Sequence, residues 1–350
     1  MTVQNKKSSI LLVLKVLEEY SDEDHYLTYQ DIIEKVNADY GIELERKSVA
    51  YSIQLLIDLE YDINPNPSGK GGWALYERQF SPSEARFLID AAFSSRVIPA
   101  KTARTLSAKI QQGFSRYARR EYGYIAKSVE LSRSDNYDVL LNIEILSEAI
   151  AKGKCVSFQL RGYNEDGEPC LRRDGKRYTV SPYYIVNNLG RYYLLGCPDY
   201  GEPRMDNYRV DYMVAARIEP EGEFIDSKGV LGEDFSIAKY LDEHIHLLHG
   251  KIIDALIRIE DHIEGRKGSR VGEGVRFLRD WFGNKAKVFK NPDDGRVYAK
   301  IRCDASSLFY WIMQYNEEFT LIEPKERVEE IRNYLRMYLE KYEALKGKKE

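Results

Sequence analysis

Histidine and cysteine are scarce in this 350-residue chain, with five and four residues respectively. His25 is the only histidine before His244, and Ser181 precedes Pro182 with no base nearby, which excludes a local acyl-transfer constellation. No enzyme is expected. Cys155, Cys170, Cys197 and Cys303 form neither CxxC nor a Cys/His pair at metal-ligand spacing. Each lies in or beside a strand-like stretch, so buried, reduced thiols are expected. His244, His246 and His249 are spaced i, i+2, i+5, which does not place all three on one helical face, so neither metal nor cofactor is expected. Long apolar runs are also missing, and the polar Met1 end lacks a signal-peptide core, so the expectation is a cytoplasmic protein without a membrane partner. A net charge of −4 excludes a polybasic protein.

Tyrosine, by contrast, is abundant, at 27 against 12 phenylalanines. Many fall within Arg177 to Ile218, where three strand-like runs are broken at Asn187-Asn188 and at Pro198 to Pro203. Arg191-Tyr192-Tyr193 and Tyr208-Arg209 place cations beside aromatic rings. With the strand at Lys154 to Tyr163, these runs predict a small β-barrel over residues 152–220, carrying a polar, mildly cationic groove. Residues 150–220 are nearly neutral, at +2. Tyrosine offers a stacking face to a base, although tyrosine-rich strands are also ordinary cores.

Residues 1–78 read as three short helices and a hairpin. Ser8 to Tyr20 has helical apolar spacing, Thr28 and Asp31 form a capping-box-like start, and Glu45 to Leu59 is a third helix. Two short strands then flank PNPSGKGG. This order describes a winged helix-turn-helix. Its third helix would present Arg46, Lys47, Ser48, Tyr51 and Gln54 to double-stranded DNA, with Lys70 on the wing. An exposed face of this kind also occurs on any compact three-helix bundle. Residues 1–80 carry a net charge of −6, which is poor for phosphate attraction and makes binding depend on a homodimer.

Residues 79–151 read as a helical linker that opens on Ser81-Pro82-Ser83-Glu84, a strong helix start. Helices are expected to about Val97, from Ala100 to Tyr117 and from Val139 to Ala151, with an extended stretch at Ile125 to Arg133. Residues 100–133 are the most basic part of the chain, at +6, and suit either phosphate contact or pairing with the acidic N-terminal module. In residues 221–350, strands and helices alternate in a pattern that predicts a ferredoxin-like α+β domain. Lys346, Lys348 and Lys349 read as a solvated tail. The fold class is therefore α+β and multidomain.

Several of these stretches resemble the WYL-domain transcriptional regulators of bacteria, over nearly the whole length. The triplet that names the family has its counterpart in Tyr192-Tyr193-Leu194, and VSPYYIV (Val180 to Val186) and NYRVDYM (Asn207 to Met213) match its flanking strands. RKSVAYSI (Arg46 to Ile53) and the segment Ser83 to Ile110 are similar as well. The resemblance implies an Sm-like, SH3-type barrel in which Arg209 lines an anion-accepting pocket, with Tyr212 in place of a second arginine. It also implies a C-terminal extension linked to dimerisation. Together the expectations describe a homodimeric, operator-binding regulator, a repressor rather than an activator. Its barrel would hold a nucleotide or nucleic-acid effector through Tyr163, Arg191, Tyr192, Tyr193 and Arg209. The alternative is an RNA- or single-stranded-DNA-binding protein with the barrel as its principal site.

Overall fold

The structure is a computed structural model describing residues 8–121, 134–248, 250–260 and 270–346. The expected extended stretch at Ile125 to Arg133, His249, and Lys348 and Lys349 of the tail lie outside the described residues, as does the side chain of Lys346. The chain divides into two compact units, residues 1–139 and 140–350. It is a mixed α+β protein.

The first unit begins with α1 (Ser9–Tyr20), α2 (Tyr29–Tyr40) and α3 (Arg46–Asp58). Leu12, Val13, Val16 and Leu17 of α1 share a core with Ile32 and Val36 of α2 and with Val49, Ile53 and Leu56 of α3. Helix α2 starts as its sequence requires. The Thr28 hydroxyl accepts from the Asp31 backbone, and the Asp31 carboxylate accepts from the Thr28 backbone. Gly41, with φ 68°, ends it in the left-handed region. A hairpin follows, β1 (Ile63–Pro65) and β2 (Trp73–Leu75). Its turn end, at Trp73, is tied to the α1–α2 connector by the Leu27–Trp73 bridge. Gly72 has φ 104°, and a Cβ there would stand 3.3 Å from the Leu27 carbonyl, so only glycine fits without strain.

Helix α4 (Pro82–Ser94) carries a second capping box, from Ser81 and Glu84, with proline in its first turn. It packs on α5 (Ala100–Gln111) through Ala85, Ile89, Phe93 and Ala103. The expected continuation of α5 to Tyr117 does not occur. The helix stops before Gly113, and the chain re-enters as the short α6 (Ala118–Glu121). The break lets Ser115 bond Asp22 at 2.5 Å and lets Arg119 pair with Glu19 at 2.6 Å. At Arg119, then, the basic stretch meets the acidic N-terminal module.

The second unit takes in α7 (Val139–Lys152) from Leu140 on, and its buried Asn142 donates to the Met213 carbonyl at 2.9 Å. Its antiparallel sheet comprises β3 (Cys155–Tyr163), β4 (Pro169–Leu171), β5 (Arg177–Asn188), β6 (Arg191–Pro198), β7 (Asp206–Arg209) and β8 (Met213–Glu219). The order is β4-β3-β5-β6-β7, and β8 pairs with β3. The expected barrel is not closed. Among the described residues, strand β7 pairs only with β6 and β8 only with β3, and the 3₁₀ turn Val210–Tyr212 joins β7 to β8 without a hairpin between them. The expected break at Asn187-Asn188 also shifts. Both asparagines belong to β5, and the turn is Leu189-Gly190, each at positive φ. Phe158, Tyr178 and Tyr208 pack ring against ring within the sheet, with centroids 5.3–6.2 Å apart.

After α8 (Ser227–Leu231) and α9 (Ile237–Glu243), a connector runs back over the sheet. Asn188 donates to the Ile245 carbonyl and Asn207 to the Leu247 carbonyl, while Leu247 packs with Val186 and Leu195. A second sheet follows, with β9 (Ile252–Ile259), α10 (Val271–Phe282), β10 (Lys287–Lys290), β11 (Val297–Asp304), α11 (Ala305–Gln314) and β12 (Phe319–Glu323). Its order is β10-β11-β9-β12, all antiparallel, which is the connectivity of a split βαβ arrangement. Trp311 and Phe319 are central to its core, and α12 (Lys325–Lys346) packs its first turns there through Val328 and Ile331. No described helix is long and apolar enough to cross a membrane. Cys155, Cys197 and Cys303 are buried, but Cys170 is exposed on the short edge strand β4, contrary to the expectation of four buried thiols.

Candidate nucleic-acid interface and effector cleft

In the first unit, Val49, Ser52, Ile53 and Leu56 turn α3 inward, and helical periodicity leaves the opposite side to solvent. Arg46, Lys47, Tyr51 and Gln54 are exposed and Ser48 is half-buried. Tyr51 is 70% exposed, more than a packing role would leave it. Gln54 donates to Asp58 one helical turn on, at 2.9 Å. Arg46 lies over the Tyr29 ring at 5.6 Å and lines a cleft of about 570 Å³ with Gln30, Asn66 and the hairpin glycines. Lys70 is exposed at the hairpin tip, where Gly69 and Gly71 both take positive φ.

In the second unit, a cleft of about 980 Å³ opens beside β6 and β7. Arg191 and Tyr193, two residues apart, share a face of β6, and Tyr193 stands directly opposite Arg209 of β7. All three line the cleft. Tyr192 alternates to the other face and does not line it, nor does Tyr163, which lies exposed at the end of β3. The structure thus brings together three of the five effector residues expected from sequence.

Further lining residues lie outside the five effector positions expected from sequence. Arg172 comes from a 3₁₀ turn within what reads as a loop. A Cβ on Gly162 would fall 2.8 Å from its Cγ, so the absence of a side chain on β3 leaves space for the arginine stem. His246, Leu247 and Leu248 come from the connector and Tyr310 from α11, far apart in the chain. The one available signal was the pair Asn188 and Asn207, whose amides tether the connector. Tyr212, at the position where the resemblance implies a second arginine, also lines the cleft, and its ring lies 4.1 Å from the Arg209 guanidinium.

Arg209 is half-buried and held at one edge by Asp211, with Nε to Oδ1 at 3.0 Å and Nη2 to Oδ2 at 2.5 Å. Burial opposes its charge, but the hydrogen bonds and charge of Asp211 outweigh that and push it above its ordinary value. Burial pushes the His246 ring below the usual imidazole range, although Asp304 opposes the shift. Burial and the Asp206 carboxylate push the Tyr208 phenol up. The cleft therefore offers fixed guanidinium charge, aromatic faces and a neutral imidazole. Such a set is chemically suited to an anionic, planar ligand. Among the described residues no cluster of three or more histidine, cysteine or carboxylate side chains could hold a metal.

No curated protein matches the sequence. Among solved structures the chain is similar to proteasome accessory factor B/C of Arthrobacter aurescens, at 17% identity and a TM-score of 0.29. That likeness covers 96% of this chain and 49% of the other, so this chain spans about half its length. It is also similar to a protein described as CRISPR Cas-related, at 16% identity and a TM-score of 0.39, covering 98% of this chain and 85% of that one. TM-scores this low leave the fold to be read from the chain itself. The WYL domain family model matches residues 142–218, a span that takes in most of α7, the six-stranded sheet short of the last residue of β8, and the cleft's three expected residues. This chain carries a WYL domain at residues 142–218.

Proposed function

We propose that this protein is a DNA-binding transcriptional regulator, acting as a repressor, whose WYL domain takes an anionic nucleotide or nucleic-acid effector. The observation that carries the reading is the exposed row Arg46, Lys47, Tyr51 and Gln54 on α3, followed in the chain by a glycine-rich hairpin with Lys70 at its tip. A helix exposing cations, an amide and an aromatic ring along one side suits the major groove, with the hairpin as a wing on the backbone. A homodimer would present two such helices to a pseudo-palindromic operator, and the C-terminal α+β region would supply the dimer contact. Effector in the cleft would bias the spacing of the two readers, which is a coupling between distinct sites.

Purified protein should retard duplex DNA from upstream of its own gene at low salt, and Lys47→Ala with Gln54→Ala should abolish the shift. Affinity should fall steeply with salt, by a log–log slope of about 0.9 per phosphate contact. Failure to bind that duplex at low salt removes the main support. The net charge of −6 over residues 1–80 favours a second reading, in which the cleft is the principal site for RNA or single-stranded DNA. Under it, the α3 substitutions leave single-strand binding intact.

A further inference from the structure

We propose that Asp211 is a specificity-determining residue of the cleft. Its carboxylate already fills one edge of Arg209's fork, so the cleft retains only ligands carrying two or more anionic groups. This rests on the effector reading above. Asp211 is 6% exposed, lies in the 3₁₀ turn between β7 and β8, and meets Arg209 with both carboxylate oxygens. The Tyr212 ring covers the guanidinium face. A single phosphate arriving at Arg209 therefore finds its charge answered and its best bidentate edge taken. To displace that desolvated carboxylate it would also have to break a bidentate ion pair.

Arg172 and Arg191, in contrast, are exposed and in no ion pair among the described residues. A ligand with several anionic groups, such as a short oligonucleotide, can engage both and approach Arg209 with a further group. Inorganic phosphate or a mononucleotide cannot. The internal carboxylate thus sets a threshold that excludes abundant small anions and passes a polyanion.

The test is calorimetric titration of the full chain with inorganic phosphate, adenosine monophosphate and a short single-stranded DNA. Wild type should bind the DNA and bind the two small anions at least about tenfold more weakly. Asp211→Asn should strengthen phosphate and mononucleotide binding by about tenfold or more, and adding Arg209→Gln should remove that gain. If Asp211→Asn leaves small-anion binding unchanged while the DNA still binds through Arg191, the inference fails and the effector reading stands. If no anion binds either protein, the effector reading fails and this inference with it. Should Asp211→Asn not fold, ¹⁵N-arginine spectra of wild type decide instead. The single-stranded DNA should move the Arg209 Nε resonance while phosphate leaves it in place, and an unmoved resonance with bound DNA overturns the proposal.

Discussion

Gly196 in β6 faces Pro182 of β5, and alanine there should be costly. The added Cβ would stand 2.6 Å from the Ser181 carbonyl oxygen, 2.6 Å from a Val180 methyl and 3.2 Å from the Pro182 Cα. Non-bonded carbons rest at about 3.5–4.0 Å, so β5 must withdraw by on the order of 1 Å. It has little room to do so, because β3 holds its other edge through Val156 opposite Val180. Two of the three obstacles are backbone atoms in a ladder, which cannot rotate away as a side chain can. Overpacking costs about 1–3 kcal/mol, and a backbone obstacle places this site at about 2–3 kcal/mol. In a unit of this size each kcal/mol moves the midpoint by about 2–4 °C, so calorimetry should show a fall of roughly 4–12 °C. Gly229→Ala in α8 is the control. Nothing lies within 4 Å of its Cβ position and its φ is ordinary, so the change should stabilise by up to about 1 kcal/mol. A Gly196→Ala midpoint within about 1 °C of wild type would refute the steric reasoning.

Thiol titration of the native chain should show Cys170 reacting quickly, while Cys155, Cys197 and Cys303 react only after unfolding. Burial and Asp304 push the Cys303 thiol up to about 12, so it should stay inert even at mildly alkaline pH. Burial opposes ionisation of Asp22, but hydrogen bonds from Ser115, His25 and the Asp24 backbone outweigh it and hold its carboxyl below the ordinary value. Stability from that depressed value is present above the usual carboxylate range and lost as pH falls through the folded value. Ser115→Ala should therefore destabilise by about 1 kcal/mol at neutral pH and by less in acid, read from urea midpoints across pH. Thr28→Ala should cost about 1 kcal/mol by removing the α2 cap, and an unchanged midpoint would contradict the capping-box geometry.

Local chemistry made most elements legible. The caps at Thr28 and Ser81, the hairpin glycines and the α/β alternation after Ile252 all specify their structure within a few residues. Closure of the first sheet was not legible, because it depends on whether β7 and β8 pair, and a three-residue turn between them decides that. The cleft was legible where strand alternation governs it, at Arg191, Tyr193 and Arg209. Tyr192 was drawn in because the triplet was read as a unit, whereas a strand sends its middle residue to the other face. Tyr310 and His246 carry no local sign of their position, since long-range packing brings α11 and the connector there.

The tethering of the connector by Asn188 and Asn207 bears on how the WYL domain can be studied. A fragment cut to residues 142–218 would keep Arg191, Tyr193 and Arg209 but discard Tyr310 and His246 to Leu248, and so would hold an open half-site. It would also uncover Val186 and Leu195, which Leu247 and the α9 residues Ile237 and Leu241 now shield. Such an excised piece should be sticky and a poor binder, and its silence in a ligand screen would say nothing about the intact protein.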